Sequence, residues 1–158
     1  MWRLLRMFFE WLTGASRAPT RRPQRAPRLP DRAPRRREAR GLRIDYAPSA
    51  DGDADPGEVV WTWVPYEDDP SRGKDRPVLV IGSDDGRLVG LALTSVDSGR
   101  SDHVEIGTGA WDREGRVSYV KLDRLVDLSS SRIRREGAVL DRRRFDAVVR
   151  ALQRAGRV

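Results

Sequence analysis

The run Pro77-Val78-Leu79-Val80-Ile81-Gly82 constrains the fold more than any other stretch of the chain. Four uninterrupted aliphatic residues, rich in β-branching and bounded by proline and glycine, specify a buried strand. A second apolar run, Leu88-Val89-Gly90-Leu91-Ala92-Leu93, follows the sequence Asp84-Asp85-Gly86. Asp-Gly between two apolar runs signals a hairpin, because glycine accepts the positive φ that a tight turn demands. Arg76 stands where the first strand starts, and Thr94, followed by Ser95, where the second one stops. Antiparallel pairing then brings a guanidinium and a hydroxyl to the same end of the hairpin.

The other elements follow from similar signals. Glu58 to Val64 is rich in β-branched and aromatic residues and reads as a strand. Within it Trp61 and Trp63 share one face, as expected for core or interface packing. After the hairpin, His103–Ile106, Ser118–Leu122 and Arg124–Leu128 are short strands. The glycine-rich connection from Gly107 to Gly115 carries Trp111, which is expected to be exposed. Asp141 is a helix N-cap, Phe145, Val148, Val149 and Leu152 form one apolar stripe, and Gly156 stops the helix. Short strands with turn signals and one closing helix give a mainly β chain, a small antiparallel β-barrel carrying helices.

Charge is unevenly distributed. Of 158 residues, 1–43 hold 13 Arg against Glu10, Asp31 and Glu38, whereas 44–158 hold 18 basic and 21 acidic side chains. The overall net charge of +7 therefore belongs to the front of the chain and says nothing about phosphate binding by the domain. Residues 1–12, MWRLLRMFFEWL, form an amphipathic apolar and basic segment, too short to cross a bilayer but suited to lie on one. Residues 13–55 read as a disordered linker rich in arginine and proline, able to contact anionic lipid or nucleic acid without specificity. The domain is expected to span 56–158. With no cysteine there is neither a disulfide nor a thiolate metal site, and the lone His103 supplies no metal centre. No cofactor is implied, and the location expected is cytoplasmic, with peripheral membrane association through the front segment.

From about residue 56 to 153 the chain resembles the PemK/MazF family of toxin–antitoxin toxins. The residues carrying the resemblance are PGEVVWTWVP, GKDRPVLVIG, LALTS, VKLDRLVDL and the helix after RREGAVLDRRRF. The resemblance implies a homodimeric, SH3-like barrel that acts as a metal-independent endoribonuclease on single-stranded RNA and is restrained by a small antitoxin. It places the catalytic arginine on Arg76 and the catalytic hydroxyl on Thr94, with Ser95, Lys121 and Arg124 as expected substrate contacts; Trp111, from its glycine-rich loop, is the expected platform for a stacked base. Attack of a ribose 2′-OH on the adjacent phosphate, leaving a 2′,3′-cyclic end, suits these residue types. An arginine stays charged and clamps phosphate oxygens, while a hydroxyl donates to the same group. One departure is the acidic loop Glu67, Asp68, Asp69 and Asp75; within it Asp75 is expected to form a salt bridge. The alternative is a non-catalytic module of the same shape, tethered to membrane or nucleic acid by its basic front end.

Overall fold

A computed structural model describes residues 41–49 and 51–158. The amphipathic segment 1–12 and residues 13–40 of the expected linker lie outside the described residues.

Seven strands and one helix follow in order: β1 (Leu42–Ile44), β2 (Glu58–Pro65), β3 (Gly73–Asp84), β4 (Arg87–Thr94), β5 (His103–Gly107), β6 (Ser118–Asp127), β7 (Ile133–Val139) and α1 (Arg142–Arg154). All pairings are antiparallel, in the order β5-β6-β4-β3-β2-β7, with β1 added to the end of β3. Register shifts interrupt four of these ladders, and each such bulge sharpens the local bend. The expected small barrel is thus a curled half-barrel whose outer strands are β5 and β7, with the C-terminal helix laid against it.

The hairpin forms as its sequence dictates. Asp85 and Gly86 take φ of 50° and 74°, the pair of positive values that a type I′ turn requires. Strict alternation then sorts β3 between two cores. Leu79 and Ile81 join Leu91, Leu93 and the helix side chains Phe145, Val148 and Leu152. Val78 and Val80 join Val60, Val64, Ala92 and Val126 on the other face. Helix α1 starts where Asp141 accepts from the Arg144 backbone N–H at 3.0 Å, and it stops before Gly156, whose φ is 61°.

Three expectations need correction. First, part of the segment expected to be a disordered linker is ordered, since Leu42–Ile44 forms β1 ahead of Pro56. Ile44 pairs with Gly82, where an added side chain would collide with the Arg43 carbonyl, so glycine is what lets β1 approach. Tyr46 then donates its hydroxyl to the Leu140 carbonyl at 3.0 Å and sets its ring 5.1 Å from that of Phe145. A three-residue strand gives no usable periodicity, which is why the boundary was illegible. Second, Ser118 to Asp127 is one bulged strand rather than two, and β7, rich in charge, was missed altogether.

Third, Trp111 is not exposed. It is 3% accessible and belongs to the core under α1. Its indole N–H donates to Ser118 Oγ at 3.0 Å, and its carbonyl accepts from the Trp61 indole at 3.0 Å. The neighbouring Gly109 makes room for the ring, since a Cβ there would overlap it. One of the glycines that suggested an open loop is thus what lets the ring fold inward.

Candidate functional site

The sheet register assembles the site. Thr62 on β2 pairs with Arg76 on β3. The β3–β4 register, Val78 opposite Ala92, carried on to the end of β4, sets Arg76 opposite Thr94. Thr94 in turn pairs with Tyr119 on β6, and Tyr119 with Glu105 on β5. The alternation of buried neighbours puts all five on one face, turned away from α1: Val78 and Ala92 flank Arg76 and Thr94 in the second core, while Val120 and Ile106 beside Tyr119 and Glu105 point into the first. One row of side chains therefore crosses five strands: Thr62, Arg76, Thr94, Tyr119, Glu105.

Arg76 is half-buried and, among the described residues, has no ion pair or hydrogen bond. Its acidic neighbour is otherwise engaged: Asp75, on the opposite face of β3, accepts from Arg134 Nη1 at 2.8 Å, the salt bridge expected of it. Thr94 Oγ1 accepts from the Val96 backbone N–H at 3.2 Å, which occupies an oxygen lone pair and leaves the hydroxyl proton free to be given. Cβ atoms of directly opposed residues lie about 5 Å apart, so guanidinium and hydroxyl can reach one common oxyanion. Thr62 is spent on structure, with its hydroxyl donating to the Arg132 carbonyl at 3.2 Å.

The remaining candidates separate. Ser95 follows the last residue of β4 and is exposed. Lys121, two positions along β6 from Tyr119 and opposite His103, is held by Asp123 at 2.9 Å. Arg124 is committed to the β2–β3 loop: Nη2 donates to the Pro65 carbonyl at 2.8 Å, and Nε lies 3.7 Å from Glu67. Trp111 is in the core. The strand register thus sets Arg76 and Thr94 on one face at the same end of the hairpin, keeps Lys121 on that face but charge-paired, and turns Arg124 to bracing the loop.

That bracing changes the meaning of the acidic run. Arg124 lies 3.7 Å from Glu67, and Asp69 accepts from the Ser71 N–H at 3.0 Å, so two of the three loop carboxylates, Glu67 and Asp69, are engaged. Two residues went unread in the sequence. Lys74 is exposed on the same face as Arg76, legible only once β3 is seen to start at Gly73. Tyr119 has its phenol pushed above the usual value by desolvation and then by the charges of Asp97 and Glu105, so it stays protonated. Among the described residues no group of three or more His, Asp or Glu side chains could hold a metal ion, and no helix is long and apolar enough to cross a membrane.

Comparison with known proteins adds the following. The family described as PemK-like, MazF-like toxin of type II toxin–antitoxin system matches residues 55–155. No curated protein matches the chain. Among solved structures, a MazE–MazF complex from Deinococcus radiodurans is 23% identical with a TM-score of 0.48, the likeness covering 70% of this chain and 96% of that one. The Mycobacterium tuberculosis toxin MazF-mt6 is 15% identical with a TM-score of 0.45, over 61% of this chain and 95% of that one.

Proposed function

Because the chain belongs to the PemK-like, MazF-like toxin family of type II toxin–antitoxin systems, we propose that it is an endoribonuclease that cuts single-stranded RNA, with Arg76 and Thr94 at the scissile phosphate. The observation that carries this reading is the uncommitted Arg76 guanidinium. The same face carries the Thr94 hydroxyl, which donates to no acceptor among the described residues, and Lys121, which is already paired.

In the reaction a ribose 2′-oxygen bonds to phosphorus and the bond to the 5′-oxygen breaks. The 2′-OH loses a proton and the departing oxygen gains one, leaving a 2′,3′-cyclic phosphate and a 5′-OH. Negative charge grows on the non-bridging oxygens as the phosphorus becomes five-coordinate. Arg76 meets that charge with a fixed cation that cannot deprotonate, and Thr94 adds a neutral donor from the next strand. Lys74, on the same face, attracts the adjoining phosphate, and exposed Ser95 offers a further donor to the RNA. The active form is a homodimer, its partner in the cell is a small antitoxin, and the cytoplasm is where both would meet RNA. The arginine-rich residues 1–43 add non-specific attraction to phosphate or anionic lipid.

The test is to incubate the full chain with single-stranded RNA in EDTA and identify the product ends. Cyclic phosphate ends are expected, and Arg76→Ala should slow their formation by roughly a hundred- to a thousand-fold while leaving the circular dichroism spectrum unchanged. Undiminished cutting by that variant would remove the proposal.

A further inference from the structure

With Trp111 in the core, an aromatic surface for an RNA base has to be sought elsewhere, and the row through Arg76 contains one. Tyr119 lies directly opposite Thr94 on the face turned away from α1. Its neighbour Val120 is fully buried on the other side of the strand, yet Tyr119 itself joins neither core cluster. Among the described residues the phenol makes no hydrogen bond and no ring contact. Val96 and Val117, which flank the Thr94–Tyr119 pair just beyond the strand ends, are 65% and 38% exposed. Directly across from Tyr119, on its other side, stands the exposed carboxylate of Glu105.

We propose that Tyr119 is the floor, and Glu105 the wall, of a seat for the nucleobase adjoining the phosphate held by Arg76 and Thr94. The reading rests on the nuclease assignment for the identity of its ligand. A half-exposed ring on an open sheet face offers a flat π-surface to any base, and stacking of this kind is how single strands are commonly gripped. The two valines extend the apolar margin around the ring. Glu105 makes the seat selective. An ionised carboxylate only accepts hydrogen bonds, so it rewards the exocyclic amino group of adenine, cytosine or guanine. Uracil has no exocyclic amino group, and its single N3–H donor is flanked by two carbonyl oxygens that repel the carboxylate, so it is the base least rewarded. The phenol, kept protonated beside this carboxylate, adds no second negative charge to the seat.

The test measures binding and turnover separately. Dissociation constants of a fluorescein-labelled 2′-O-methyl RNA oligonucleotide, which cannot be cut, are compared for the full chain and its variants. Tyr119→Ala should weaken binding by roughly ten- to a hundred-fold, whereas Tyr119→Phe and Tyr119→Trp should bind like the parent. With cleavable RNA the same loss should appear in KM and leave kcat within about three-fold, since stacking holds ground and transition states alike. Glu105→Gln, which can also donate, should raise cleavage next to uracil relative to cleavage next to adenine. Should Tyr119→Ala fail to fold, Tyr119→Thr keeps the strand preference and replaces it. Unchanged affinity in a folded Tyr119→Ala or Tyr119→Thr variant overturns the seat, as does a Tyr119→Phe loss equal to that of Tyr119→Ala. RNA that binds with the expected variant ratios but is never cut would sink the nuclease assignment and leave the seat standing; RNA that does not bind at all would sink both.

Discussion

Along β3, odd-numbered residues such as Leu79 and Ile81 meet the helix, whereas even-numbered ones such as Arg76, Val78 and Val80 look the other way. The two faces are made by alternate residues of the same strands and have opposite fates. Beneath the helix the core is closed. Leu79, Ile81, Val148 and Leu152 are fully buried, the Trp111 indole finds Ser118, and Tyr46 finds the Leu140 carbonyl. On the other side the apolar patch gives way, toward the end of the hairpin, to groups with no partner among the described residues: the Arg76 guanidinium, the Thr94 hydroxyl proton and the Tyr119 ring. Side chains that fill space fix a fold; side chains left uncommitted at the margin of a rigid sheet are held ready for a ligand.

The contrast predicts that the two faces separate stability from activity. Leu152→Ala should cost about 2 to 5 kcal/mol of folding stability, because a fully buried leucine leaves a cavity under the sheet. Thr94→Val should move stability by only about 0.5 kcal/mol yet reduce RNA cleavage roughly a hundred-fold. Urea unfolding and initial cleavage rates on both variants check this. A Thr94→Val protein as destabilised as Leu152→Ala would erase the distinction between the faces.

A smaller effect sharpens the closed side. Tyr46→Phe keeps the ring against Phe145 and removes one bond to the Leu140 carbonyl, so a loss of about 1 kcal/mol is expected in urea unfolding. No loss at all would mean that the segment before Pro56 packs without contributing to the fold.

The smallest effect is acid sensitivity in the loop that carries Trp111. The Arg116 guanidinium, 2.9 Å away, and then the Glu114 backbone N–H hold the Asp112 carboxyl below its usual range. A carboxylate depressed in the folded state stabilises fully above its unfolded value of about 3.9, and that contribution is lost as pH falls through the lower folded value. Asp112→Asn should therefore lower Tm slightly at pH 7, and the gap should narrow as the pH falls below about 3.9. A gap that persists in acid would assign the effect to the side chain's shape and not to its charge.

The hairpin was readable because three signals agreed: a bounded aliphatic run, an Asp-Gly turn and a matching second run. The helix was readable for the same reason, since cap, apolar stripe and stop coincide in Asp141, Phe145 to Leu152 and Gly156. Such agreement is what makes a local pattern dependable. β1 and β7 failed the same test. Leu42–Ile44 is too short for a period, and Ile133-Arg134-Arg135-Glu136 looks polar because an outer strand needs only part of its surface buried. At the site, Arg76 and Thr94 could be seen because motif and hairpin geometry placed them at one end. Tyr119 could not, because its position beside Thr94 depends on a pairing between strands far apart in sequence, with a bulge between Leu91 and Leu93. Trp111 misled for a physical reason: glycine loosens a loop in isolation, yet here Gly109 is the vacancy a large ring requires.

The attachment of β1 has a spatial consequence. Gly41 sits beside Asp84 and Asp85, at the tip of the hairpin, whereas Arg76 lies eight residues back along β3, about 26 Å away for an extended strand. The first strand therefore joins the sheet at the pole remote from Arg76, and the end of the hairpin that carries Arg76 and Thr94 is left uncovered by β1.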